Sequence, residues 1–243
     1  MKIKSIIYIL SCFSLFLISS CTEDDNYDGP NATIKGAIID DITKLPIQTE
    51  QPNGITIRML ETKYSNPSNI DFWAKADGTF ENAAMFSGEY SIVPFQGPFF
   101  PSSVAAKEVN VSGTTEVNFT VVPYLAVTAT AAPSTGGVTV KFKLSRSAAT
   151  GLTHGKITET RSLVSSIPTV NTTVFERINN SDKIAVRNFS NATTFPDATI
   201  LATEYTDVIS GLVSGKTYYV RVAARTASST RYNYSPVMTV VVP

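Results

Sequence analysis

Beyond Asn31 the chain sustains no helical period. It alternates apolar and polar residues in short runs, and that alternation confines it to β-structure. ATIKGAIID (32–40), GITIRML (54–60), FWAKADGTF (72–80), GEYSIVP (88–94) and TEVNFTVV (115–122) all read with period two. In such a run successive side chains point to opposite faces, so each strand offers one face for burial and needs a second layer to cover it. Gly, Pro, Asn and Ser interrupt the runs at short intervals, the spacing of strands stacked into sandwiches. The expectation is an all-β protein with little helix, built as two tandem β-sandwich domains over 32–122 and 123–243. VVPYL (121–125) joins them, and Pro123 stiffens that link by fixing one backbone angle.

The start of the chain has a different character. Lys2 and Lys4 precede an apolar run from Ile6 to about Ser20, the n-region and h-region of a secretory signal, too short for a comfortable membrane span. Ile18, Ser19, Ser20 and Cys21 resemble the bacterial lipobox, in which the cysteine becomes the mature N-terminus and carries acyl chains. That resemblance implies a signal peptide over 1–20, lipidation of Cys21, and a membrane partnership made through lipid. Several acyl chains hold a protein firmly where one gives only marginal attachment. TEDDNYDGP (22–30) is too acidic and too poor in apolar residues to fold, so 21–31 reads as a tether. Acidic residues behind the cysteine also look like the signal that sends lipoproteins of the Bacteroidetes to the outer cell surface. The implied location is the outer membrane, facing the exterior. The competing reading is a plain signal peptide with a chance cysteine.

Several chemistries find little material here. Cys12 lies inside the signal, so the mature chain has no thiol free for a disulfide, a nucleophile or a metal. Formal net charge is zero with 16% charged residues and no basic block, which argues against nucleic acid as a partner. His154, the only histidine, sits in GLTHGK without a second histidine or a G-x-S-x-G elbow, and reads as an exposed loop residue. No EF-hand-like loop is present, and no cofactor or metal is expected. A glycan hydrolase needs only two carboxyls, about 5–10 Å apart. Asp40, Asp41, Asp71, Asp77, Glu176, Asp182, Asp197, Glu204 and Asp207 are its candidates, scattered along the chain.

Family resemblances sharpen the domain expectations. Gly36, Ile38, Asp40, Thr43 and Pro46, then Asp77, Gly78, Phe80, Gly88, Tyr90 and Ile92, resemble the carboxypeptidase-regulatory or transthyretin-like sandwich, with Lys44 where that pattern has glycine. The second half resembles a fibronectin type III or immunoglobulin-like module. Leu212 and Tyr218 match its tyrosine corner, and Val138, Val140 and Phe142 match an early core strand, with Phe142 where the family has Trp. Its excess length lies between Ser145 and Thr203, where the topology stays open. Pilin-type sandwiches cross-link a first-strand lysine to a last-strand asparagine. Lys35 and Asn118 hold those positions, although a solvent-facing Lys35 is the simpler reading. The tandem behind a lipobox is similar to an uncharacterised surface lipoprotein family of gut Bacteroidetes, encoded beside the outer-membrane importer of starch-utilisation-type loci. That layout implies an accessory role in glycan uptake, with an oligosaccharide and the importer complex as partners; it brings no site residues.

Exposed aromatic rings are the residues to test for such binding, because a flat apolar face contacts a sugar at little ordering cost. Trp73 shares a strand face with Asp71 and Lys75 and is expected to meet solvent. Tyr64 lies in a polar loop nearby, and Phe99 and Phe100 follow a proline-flanked turn; together these are candidates for one patch. Tyr232 and Tyr234 lie near the loop between the last two strands, a second candidate site. Packing in a core or between domains is the competing reading for Trp73, Phe99 and Phe100, and an ordinary β-turn role is the competing reading for Tyr232 and Tyr234. At the level of the whole chain, an adhesive or structural spacer that engages protein competes with glycan binding.

Overall fold

The computed structural model describes residues 28–191 and 193–243. Cys21, the signal segment and the tether up to Tyr27 lie outside the described residues. Eight strands build the first half: β1 (Ala32–Asp40), β2 (Thr56–Glu61), β3 (Ile70–Trp73), β4 (Thr79–Met85), β5 (Gly88–Gln96), β6 (Lys107–Val111), β7 (Thr114–Glu116) and β8 (Phe119–Val121). One sheet centres on β1, which is antiparallel to β4 and parallel to β7 and β8. The other runs β3-β2-β5-β6, all antiparallel. Every second residue enters the core, as alternation requires: Ile34 and Ile38 from β1, Ile57 and Met59 from β2, Tyr90 and Ile92 from β5. At the end of β1, the Asp40 carboxylate accepts the Ile42 and Thr43 N–H groups at 2.6 and 3.2 Å. Lys44 then takes φ 61°, so the turn keeps its left-handed residue without a glycine.

The second half holds β9 (Ala126–Ser134), β10 (Gly137–Ser145), β11 (Ile157–Ser165), β12 (Arg177–Ile178), β13 (Ser181–Asp182), β14 (Ile184–Asn188), a short helix α1 (Asp197–Ala202), β15 (Tyr205–Ser210), β16 (Thr217–Thr226), β17 (Asn233–Tyr234) and β18 (Met238–Val241). A β15-β10-β9 sheet packs against β14-β11-β16, whose far edge carries both β17 and β18. Val138, Val140 and Phe142 meet Tyr218, Val220 and Val222 between the layers. The protein is thus all-β in two sandwiches. The buried Tyr218 hydroxyl accepts the Val213 N–H at 3.0 Å, closing the turn before β16. Tyr218→Phe leaves that amide without its acceptor, and a loss of about 1–2 kcal/mol is expected in urea denaturation.

The excess length of this half covers surface. Residues 166–183 fold over the outer face of the β11-β16 sheet, where Val170 and Phe175 join Leu163, Ala223, Tyr232 and Tyr234 in a further apolar cluster. Helix α1 inserts Ile200 into the main core, while Asp197 accepts the Ile157 N–H and pairs with Lys156 and Arg146. Lys35 is exposed, and the Asn118 carboxamide oxygen accepts the Ala37 N–H at 2.7 Å. Asn118 thus helps hold β1, and Lys35 occupies the solvent-facing position of the simpler reading.

The two sandwiches are sewn together around the linker. Tyr124 donates its N–H to Pro98 O at 3.1 Å, and the buried Asn233 side chain both accepts from Leu125 N–H and donates to Pro98 O. Arg221 reaches from β16 to Ala76 O and Gln48 Oε1, and Glu50 accepts from Tyr234 and Thr172.

Candidate functional site

Four of the six candidate aromatics are withdrawn from solvent. Phe99 is fully buried in the first core. Phe100 is buried at the junction, edge-on to Tyr124 at 4.6 Å and to His154 at 5.1 Å. His154 is accordingly half-buried rather than exposed; burial lowers its pKa, and Arg146 adds to that while Asp197 opposes it. Tyr232 and Tyr234 are buried too, their hydroxyls donating to Glu159 Oε1 and Glu50 Oε2 at 2.5 Å each. Burial and the Glu159 hydrogen bond push the Tyr232 phenol up to about 12, so it stays a neutral donor. Phe99 belongs to the first core, Tyr232 to the outer-face cluster of the second sandwich, and Phe100 and Tyr234 to the seam, so the candidate single patch and the candidate second-domain site do not form.

Trp73 and Tyr64 do reach solvent, at 36% and 54% exposure, but not together. Trp73 pairs with Thr56 at the start of β2, whereas Tyr64 follows Glu61 at its end. Tyr64 instead borders a separate shallow depression of about 450 Å³ with Glu61, Asn66, Pro67 and Ile70.

Around Trp73 the outer face of the β3-β2-β5 layer forms a coherent surface. Asp71 precedes Trp73 by two residues on β3, and Arg58 lies opposite Asp71 on β2. Arg58 donates from Nε and Nη2 to the two Asp71 oxygens at 2.8 and 2.7 Å, a planar fork. That guanidinium holds the Asp71 carboxyl below the usual carboxylate range. The same guanidinium lies 3.7 Å from the ring centroid of Phe95, which is 39% exposed. Phe95 occupies the irregularity where β5 slips against β2, between the Thr56–Gln96 and Ile57–Pro94 pairs. The backbones of Trp73 and Phe95 thus stand about two strand spacings apart, ~10 Å, across Thr56, with the Arg58–Asp71 pair in the adjoining row of the same face. Above Trp73, at 5.1 Å from its ring, sits the guanidinium of Arg231 from the second sandwich. Phe95 and Arg231 were missed from sequence. Continuing the Tyr90–Ile92 alternation past Pro94 would have turned Phe95 outward; nothing local marks Arg231.

Most of the candidate carboxylates are engaged by cations, hydroxyls or backbone N–H groups. Asp40 accepts from the Ile42 and Thr43 N–H groups and Glu176 from the Ser166 N–H, whereas no side-chain partner of Glu204 is found among the described residues. Asp207 accepts from Ser162 Oγ and pairs with Arg187. Burial pushes Glu159 up, but Arg161, Tyr232 and Arg225 outweigh it and hold it low. Asp77 accepts from Thr79, and Asp182 pairs with Arg177. Among the described residues no three His, Cys, Asp or Glu side chains gather as a metal would need. Nor, among them, is any helix long and apolar enough to cross a membrane.

An all-β pair of sandwiches with a mixed aromatic and guanidinium face is what the chain presents. Residues 32–122 match the model of the N-terminal domain of a protein family of unknown function, DUF3823. A crystal structure of a DUF3823 family protein from Bacteroides uniformis is 28% identical, covers 88% of this chain and all of its own, and superposes with a TM-score of 0.74. A second Bacteroides uniformis structure, described as a "putative carbohydrate binding protein", is 24% identical with a TM-score of 0.69, again over 88% of this chain and all of that one. A DUF3823 family protein from Parabacteroides merdae has the same coverage, 20% identity and a TM-score of 0.68. No curated protein matches the sequence.

Proposed function

We propose that this protein binds oligosaccharide without cleaving it, as a lipid-anchored accessory on the outer face of a bacterial outer membrane, serving the importer complex of a polysaccharide-utilisation system. The observation that carries the binding role is the exposed face of Trp73 and Phe95 flanking the Arg58–Asp71 fork. Flat rings take the apolar face of a sugar ring, and a fixed carboxylate and guanidinium take its hydroxyls. The Bacteroides relative described as carbohydrate binding shares the fold and supports the same reading. The lipobox-like Ile18–Cys21 and the acidic tether support the anchor and the outward location.

The test is a polysaccharide panel titrated against the soluble chain from Thr22, with Trp73→Ala alongside. At least a tenfold loss of affinity is expected for the variant, the equivalent of roughly 1.4 kcal/mol. No binding by the parent to any glycan would remove the proposal. The zipped junction favours one other reading, a stiff spacer that engages protein; crosslinking on intact cells that captures the same protein neighbour with and without Trp73 would support it. Mass spectrometry of native material should find Cys21 acylated.

A further inference from the structure

We infer that the face around Trp73 takes an acidic glycan, its anionic group seated on Arg231 and an adjoining sugar ring on Trp73; this deepens the binding role proposed above and rests on it. Of the eight arginines, Arg58, Arg146, Arg161, Arg177, Arg187 and Arg225 each have a carboxylate within 4.0 Å. Arg221 is sealed between the sandwiches and bonded to oxygens there. Arg231 is left as the arginine at a solvent-reached rim with no carboxylate against it, among the described residues.

Its guanidinium is nevertheless held in place. Nη1 donates to the carbonyls of Asn53 and Gly54, and Nη2 donates to Gln96 Oε1 at 2.9 Å. All three acceptors are neutral, so the charge is oriented but not neutralised. Nε–H and the second Nη2–H have no protein acceptor among the described residues, which leaves two donors for a ligand. Partial burial lowers the guanidinium's pKa, and Glu50, already engaged by Tyr234 and Thr172, only partly opposes this. A carboxylate or sulfate ester supplies the missing countercharge through charge-assisted bonds, about twice as strong as neutral ones. Because Arg231 belongs to the β16–β17 loop while Trp73 and Gln96 belong to the first sandwich, the site is composed from both domains.

The experiment compares binding of the soluble two-domain chain to polygalacturonate, to its fully methyl-esterified form and to dextran sulfate, with Arg231→Gln and Trp73→Ala as variants. Expected is at least tenfold tighter binding to polygalacturonate or dextran sulfate than to the ester, lost in Arg231→Gln. Preference for the carboxylated over the sulfated polymer, or the reverse, identifies which anion the site takes. Equal binding to charged and esterified polymers, sensitive to Trp73→Ala, would overturn the acidic preference and leave the oligosaccharide role standing. Loss of binding to all three alike in Arg231→Gln would assign the arginine a structural role and overturn the inference. No binding by the parent to these or to any neutral glycan would end both.

Discussion

Gly36→Ala is expected to unfold the first sandwich at temperatures where the parent is intact. Gly36 lies mid-strand on β1, which carries β4 on one side and β7 and β8 on the other. A Cβ at this position would stand 1.7 Å from the carbonyl oxygen of Val117, 2.7 Å from its carbonyl carbon and 2.8 Å from Phe80 Cζ. The segment that carries this oxygen is held to β1 on either side of it, by the Val117 N–H donating to Lys35 O at 2.9 Å and by the Asn118 side chain accepting from Ala37 N–H at 2.7 Å. The segment joining β7 to β8 would have to leave β1, taking the Asn118 bond to Ala37 with it. Overpacking costs about 1–3 kcal/mol when side chains can yield; here backbone must yield, so at least ~3 kcal/mol is expected. Because the two sandwiches are expected to melt as one unit of roughly 200 residues, about 2–4 °C is lost per kcal/mol, and the melting temperature falls by about 6–12 °C. Gly88→Ala is the control: its new Cβ would meet nothing nearer than Tyr90 at 3.7 Å, an ordinary contact. Circular dichroism melts of the two variants should differ by most of that range. Equal melting would mean that β7 and β8 give way without cost.

Gly36 also shows what the sequence made legible. It belongs to the glycine and apolar pattern of the first half, and that pattern is local: each member acts on its own strand or the next. Alternation likewise accounts for the burial of Ile34, Ile38, Tyr90, Ile92, Val220 and Val222, and it turned Trp73 outward with Asp71 and Lys75. The same rule failed at the seam. On β16 it assigns Arg221 to the outer face, and the side chain does point there, yet it is 1% exposed because the first sandwich covers it. Tyr232 and Tyr234 share that outer face and are covered by residues 166–183 and by Glu50. Period two distinguishes the faces of a sheet; it carries no information about a neighbour bonded across 184 positions. For Phe99 and Phe100 the packing alternative holds, whereas the exposed-loop reading of His154 fails because the ring packs edge-on to Phe100 from the other half of the chain. The candidate site was half legible: Trp73, Asp71 and Arg58 lie in adjacent strands, whereas Arg231 arrives from another domain.

Arg221 supplies the other large expected effect, on the coupling between the halves. Its guanidinium donates to Ser235 O at 2.8 Å within its own sandwich, and to Ala76 O and Gln48 Oε1 in the other, while lying 4.4 Å from the Tyr234 ring centroid. Burial draws its pKa down to about 10, against the opposing pull of Tyr234 and Glu50, so the charge sits in the seam at a cost. Arg221→Ala trades that cost for a cavity and lost donors, and a net loss of about 2–4 kcal/mol is expected. Arg221→Met fills most of the volume without burying a charge, so its own sandwich should keep nearly all its stability. Neither variant can donate to Ala76 or Gln48, so both should loosen the seam. In scanning calorimetry the parent is expected to melt in one transition and both variants in two, with the second sandwich shifted strongly downward only for alanine. A methionine variant melting in one step at the parent's temperature would show that apolar packing, not the arginine, holds the two sandwiches in register.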